Sequence, residues 1–149
     1  GDFEGTAKRW CENFKRLDPN TQKRITVEND DKGSMWSTKH LFDYIHSDIG
    51  IPIVFDYHHY KFCTGGQTEQ EALELAMSTW PDGVTPVVHY SQSRAEEHND
   101  PKIRPQAHSD SYWAAPNLYG HDLYVMCECK HKEQGVFALL ELMKNKAVA

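Results

Sequence analysis

Glu28, Asp56 with His59, His89 and Glu128 recur along the chain, roughly 30 residues or a little more apart, the length of one strand–helix unit. Carboxylates and imidazoles are ligands for divalent ions. With no thiolate among them, the set suits manganese, zinc, iron or magnesium in a reactive site better than a structural zinc. Several such groups converging on one face imply more than one ion. Paired ions hydrolyse phosphodiesters: one activates water while the others hold the scissile phosphate and the leaving oxygen.

Taken singly, each residue has an ordinary explanation. Glu28 reads as a solvated loop carboxylate, His89 as a core histidine and Asp56 as a helix cap. Together these explanations weaken, because every predicted strand ends in a candidate ligand. His59 is favoured over its neighbour, since Asp-x-x-His lets both side chains turn toward one ion, while His58 faces away. His108, in His108-Ser109-Asp110, adds a further candidate within a long loop. His40, His46, His98, His121 and His131 read as surface residues.

The elements that must position these groups follow from hydrophobic periodicity. Ala7, Trp10, Cys11, Phe14 and Leu17 form a helical stripe stopped by Asp18-Pro19-Asn20. Ile25-Thr26-Val27 is a short strand leading to Glu28. Ser37 caps a second helix carrying Leu41, Tyr44 and Ile45, with Gly50 after it. Ile51 to Phe55 is a buried strand ending at Asp56, and Thr68-x-x-Glu71 is a capping box opening a third helix. Val84 to Val88 forms a third strand ending in His89, and Leu123 to Met126 a fourth ending around Glu128. Gln134 to Lys146 is a last amphipathic helix built on Phe137, Leu140 and Met143 or its neighbours. Tyr90 to His121 reads as a long, polar, turn-rich loop of the kind that is functional or disordered. Continuous apolar strands suit a parallel sheet covered on both faces, and ligands in such sheets bind beyond the carboxyl ends of the strands. If Glu128 points inward, Cys127 and Cys129 point outward under the helices and behave as small hydrophobes.

The chain has 149 residues with a formal net charge of −6, one ordinary domain over residues 1–149. A mean hydropathy of −0.71 and the lack of a long apolar run exclude a membrane-spanning helix, and 11% aromatic content argues against disorder. The acidic balance argues against binding nucleic acid by bulk positive charge. Four cysteines without C-x-x-C spacing fit a reducing, intracellular setting. No secretory signal pattern is visible, and the missing initiator methionine implies a chain processed or cut from something longer.

Four ordered motifs resemble the UV damage endonucleases. Val27-Glu28-Asn29-Asp30-Asp31 is similar to that family's L-E-N-D-D strand end, and Phe55-Asp56-Tyr57-His58-His59 to its D-x-H-H segment. His89-Tyr90-Ser91 through Arg94, followed by His108-Ser109-Asp110, resembles H-x-S-x-x-R…H-S-D. Val125-Met126 through Glu128, Lys130, Lys132-Glu133 and Ala138-Leu139 resembles its V-M-x-E-x-K-x-K-E-x-A-L ending. The resemblance implies a TIM-type β/α barrel, here a partial barrel of about half with four parallel strands and flanking helices. It implies a metal-dependent endonuclease that nicks UV-damaged double-stranded DNA 5′ to the photoproduct, leaving a 3′-hydroxyl and a 5′-phosphate. The family's metal ligands map to Glu28, Asp56, His59, His89, His108 and Glu128, holding two or three Mn2+ ions, or Mg2+, Co2+ or Zn2+, in a complete site. Lys130, beside the site, would neutralise phosphate charge.

Two departures accompany the resemblance. Val87 stands where some members carry a lysine that supports the metal site. The match also covers only the C-terminal half of the family barrel, without the N-terminal strands and their further histidine ligands. Four strands cannot close a barrel, so the chain is expected to pair with a missing N-terminal half or with a second copy of itself. The alternatives are a sugar-isomerase-like metal enzyme and an inactive or partial barrel module that needs a partner.

Overall fold

Asp2 accepts from the Gly5 amide and starts α1 (Phe3–Phe14), which buries Ala7, Cys11 and Phe14. A computed structural model describes residues 2–147. Asp18 closes this region as expected and also caps a short α2 (Pro19–Gln22), accepting from the Asn20 and Thr21 amides. β1 (Val27–Glu28) is followed by α3 (Thr38–Leu41), capped by Ser37. A π-helical turn (Phe42–His46) and α4 (Ser47–Ile49) extend that helix to Gly50. Gly50 has φ +67°, the left-handed cap that glycine adopts without steric cost.

β2 (Ile53–Asp56) runs directly into α5 (Tyr57–Tyr60), and the predicted Thr68–Glu71 capping box opens α6 (Glu69–Met77). β3 (Val87–Tyr90), α7 (Arg94–Glu97), β4 (Tyr124–Cys127) and α8 (Glu133–Ala147) complete the chain. The four strands form one parallel sheet in the order β1-β2-β3-β4, so β1 and β4 are its edges. The α/β class is the one the sequence predicts.

Register divides the side chains between two faces. Val27 pairs with Ile53, Phe55 with Val88 and Val88 with Val125, and this face packs under the helices. Ile53, Phe55 and Val88 are almost wholly buried there beside Leu73, Ala72 and Ala76 of α6. Burying each large apolar side chain contributes about 1.5–3 kcal/mol. Glu28 pairs with Val54, Asp56 with His89, and His89 with Met126, so the candidate ligands share the opposite face. β2 is buried along its whole length.

Several elements differ from the sequence reading. The β-branched run at Ile25 contributes only the two residues of β1, because the preceding turns still belong to the end of α2. His89 lies inside β3 rather than beyond it. The long loop after β3 is not open: it carries α7 and a bridge between Ser93 and His108, and Ser91, Gln92, Ser93, Ser109 and Tyr112 are buried. On α8, Phe137 and Leu140 face solvent, and the packed side is Leu139 with Leu142 and Met143. The close approach of Gly135 to Cys129 sets that rotation, since a Cβ at Gly135 would collide with the thiol sulfur. Cys127 and Cys129 do pack outward against the core, as expected. His40 and His46 are half-buried rather than surface residues: His40 stacks on Phe3 at 4.4 Å, and His46 Nδ1 lies 2.9 Å from the Ile51 carbonyl oxygen.

Beyond the last paired residues of β1 and β2, a side chain continues the pairing. Asn29, 1% exposed, donates through Nδ2 to the Asp56 carbonyl at 3.0 Å and accepts the Asp56 amide through Oδ1 at 2.8 Å. Asn29→Ala removes both bonds and strands two buried backbone groups, so it is expected to cost about 2–4 kcal/mol. Urea unfolding checks this as a lower midpoint at unchanged slope; a loss below about 1 kcal/mol would contradict the clip.

Candidate metal centre

Each strand end delivers its ligand for a local reason. Alternation turns Glu28, Asp56, His89 and Glu128 to the same face. Asp56 is also the helix cap that its sequence context suggests, because Oδ1 accepts the amides of His58 and His59 at 2.7 and 2.8 Å. That cap begins α5 at once, and one helical turn carries His59 round to face Glu28. His59 Nδ1 lies 2.8 Å from the Asn29 carbonyl, 3.2 Å from Glu28 Oε1 and 3.8 Å from Asp56 Oδ2. Donating Nδ1–H to that carbonyl leaves Nε2 with the lone pair.

His89 Nδ1 sits between two carboxylates, 3.3 Å from Glu28 Oε2 and 3.5 Å from Glu128 Oε1. His108, held opposite Ser93, reaches Glu128 Oε2 at 3.7 Å and places its ring 6.4 Å from that of His59. Two groups of potential ligand atoms result, Glu28–Asp56–His59 and Asp56–His89–Glu128, each with its atoms within 4.8 Å of one another and both including Asp56. The sequence-predicted ligands thus converge, with His108 adjoining through Glu128. Lys130 is exposed at the margin, near enough to His108 to disfavour its protonation. Val87 shares the face of His89 and offers no donor.

The electrostatics are those of a site short of positive charge. Burial pushes the Glu28 carboxyl up, but the adjacent His59 and His89 imidazoles outweigh it and hold Glu28 well below the usual range. Burial raises Asp56 to about 7, with the Glu28 charge adding to the shift and His59 opposing it. Burial lowers His59, yet Glu28 and Asp56 overcome this and carry it to about 9. His89 is raised chiefly by Glu28, whereas burial lowers His108. Asp56 Oδ2 and His89 Nδ1 are buried without a hydrogen-bond partner. A divalent cation satisfies both kinds of atom, so this donor set fits a metal.

Other clusters are already satisfied. Glu97, His98 and Asp110 also bring donor atoms within 4.8 Å. There, however, the Glu97 carboxylate accepts two backbone amides, and Asp110 meets His98 at 2.7 Å and Arg94 at 3.3 Å. Among the described residues no cysteine joins a donor group. His58 is fully buried and edge-on to Phe62 and His108, at 5.2 and 5.7 Å, and burial pushes it down to about 4. The sequence reading missed the clip made by Asn29 and the anchoring by Glu97; a buried asparagine directly after a strand was the one available signal.

The family described as "UV-endonuclease UvdE" matches residues 1–149. A "UV DNA damage endonuclease" of Bacillus cereus (strain G9842) is 31% identical over 148 residues, covering 95% of this chain and 44% of that protein. A "UV-damage endonuclease" of Neurospora crassa is 30% identical over 157 residues, covering 97% of this chain and 23% of that one. The solved structure described as "Crystal Structure of SacUVDE" superposes with a TM-score of 0.79 at 28% identity, over 97% of this chain and 48% of that one. The chain spans less than half the length of these relatives. Nothing in them favours the sugar-isomerase-like alternative. Matched along its whole length by the family model, the chain belongs to the UV-endonuclease family.

Proposed function

We propose that this chain is the C-terminal, metal-holding half of a β/α-barrel endonuclease acting on UV-damaged double-stranded DNA inside the cell. The reaction is hydrolysis of the phosphodiester 5′ to the photoproduct, leaving a 3′-hydroxyl and a 5′-phosphate. The observation that carries this reading is the pair of donor groups meeting at Asp56, with His108 beside them, on the open face of the sheet. Glu28, Asp56, His59, His89, His108 and Glu128 would hold two or three divalent ions, Mn2+ or a related Mg2+, Co2+ or Zn2+. Such ions, when bound, activate water and offset the charge of the scissile phosphate. Lys130 would meet phosphate charge at the rim, and the Asn29 carbonyl would fix the His59 ring. Expected results are damage-dependent nicking of UV-irradiated supercoiled plasmid with Mn2+ by the complete protein, and a loss of more than about 100-fold in Asp56→Asn and Glu128→Gln. That exceeds the usual effect of losing an outer-shell partner; equal nicking of undamaged plasmid would sink the assignment.

The unpaired edges of β1 and β4, with exposed Tyr124 and Met126 on the inward face, support a second half-barrel as the missing partner. It is either an N-terminal half or a second copy of the chain. Sedimentation velocity is expected to show self-association or capture of the N-terminal half; a stable monomer that leaves a hydrophobic dye dark would contradict both.

Metal loading also carries a pH signature. The metal-free folded state holds protons on Asp56 (about 7, against 3.8) and His59 (about 9, against 6.5) that the unfolded chain has already lost. Stability without metal therefore falls as pH rises through those intervals. Ligation displaces the same protons, so Mn2+ affinity is expected to rise by about tenfold or more per unit between about pH 6 and 8. Calorimetric titration at several pH values reads this slope, and a flat profile would contradict the ligand set.

A further inference from the structure

The segment that carries His108 is fixed from one side by a carboxylate outside the metal centre. Its backbone is laced to two neighbours: Ser109 N donates to Gln92 O and Arg94 N to Ala107 O, each at 2.8 Å, while Lys130 N donates to Ser109 O at 3.0 Å and His131 N to Asp110 O at 2.9 Å. Two consecutive amides, those of Asp110 and Ser111, point away from this ladder. Both converge on Glu97, Asp110 N on Oε2 and Ser111 N on Oε1 at 3.0 Å. Successive backbone amides turned to one side form an anion-binding concavity, and a charged acceptor makes both bonds stronger than neutral ones. The Glu97 side chain is 19% exposed, so water replaces it poorly.

We infer that Glu97 is a positioning residue for the metal centre, holding His108 against Glu128 through the Asp110 and Ser111 amides. The inference rests on the proposed ligand role of His108. The carboxylate matters rather than the helix that bears it. Among the described residues, the side chain of its neighbour Glu96 meets exposed Lys61, at 3.8 Å, and serves as the control. A glutamine at position 97 keeps one acceptor oxygen but turns an NH2 group toward the other amide, so it restores the arrangement only in part.

The test uses the purified chain with Mn2+ as the probe. In Glu97→Ala, hydrogen exchange at the Asp110 and Ser111 amides is expected to quicken at least about tenfold, and Mn2+ affinity to fall about 10–100-fold. Glu97→Gln falls between that variant and the parent, and carries the test if the alanine variant fails to fold. Glu96→Ala matches the parent. In a His108→Ala background, Glu97→Ala produces no further loss of Mn2+ affinity, a result that general loosening of the loop would not give. Faster exchange with parental Mn2+ affinity in the variants overturns the role of Glu97 alone. A parent chain without Mn2+ affinity overturns the metal reading, and this inference with it.

Discussion

A carboxylate with no exposure to water and one oxygen left unpaired sets the terms for the rest of this fold. Asp56 is wholly buried at the end of β2, an inner strand of the sheet. One oxygen is spent on capping α5, and the backbone on either side is gripped by Asn29. Oδ2 alone remains, and it faces the other donors. Burying an uncompensated carboxylate costs several kcal/mol, and the rise of its pKa to about 7 expresses that cost. The fold meets it by drawing His59 and His89 toward the same point, where both donor groups share Asp56. Cap, clip and ligand are therefore one arrangement, and none of the three can be changed without moving the others.

That coupling explains what could be read from the sequence. The convergence of candidate donors at strand ends was legible because a parallel sheet forces strand termini onto one side, and alternation then fixes which side chains point inward. Asp56 was ambiguous between helix cap and candidate ligand only on the assumption that it had one role; one carboxylate oxygen caps α5 and the other is left facing the neighbouring donors. The capping box at Thr68 and the left-handed Gly50 were legible because each depends on a few adjacent residues. Features set by distant contacts were not. The exposed Phe137 and Leu140 follow from how Gly135 meets Cys129, a contact invisible to helical periodicity. The segment after His89 looked like a polar loop because the side chains it buries are serines and Gln92 rather than apolar ones, and its clasp, Glu97 to two amides, has no pattern at all.

The acidic balance of the chain takes on meaning at the site. Glu28, Asp56 and Glu128 stand within a few ångströms of three imidazoles, two of which are driven toward protonation by those acids. In the metal-free protein, protons do the work of cations. Divalent ions would take over that work and reverse the local potential, so that the proposed polyanionic substrate could approach this face despite a net charge of −6. The basic groups nearby are few and peripheral: Lys130 is exposed at the rim, and Arg94 is held by Asp110.

The inward face changes character along its depth. At the carboxyl ends of the strands it is a cluster of acids and imidazoles with Met126 level with His89, and one residue pair deeper it is Val54, Val87 and Tyr124. In a closed β/α barrel such positions are filled by layers of side chains drawn from alternate strands around the whole circumference. Here Val54 is buried, but Tyr124 and Met126, on the edge strand, stand 66% and 52% exposed. The floor beneath the metal centre is therefore finished at β2 and open at β4. An opposing set of strands, as in the proposed complete barrel, would cover that floor and raise the strength of every electrostatic contact above it by excluding water. On this reasoning the proposed second half would dry the base on which Glu128 and His89 stand.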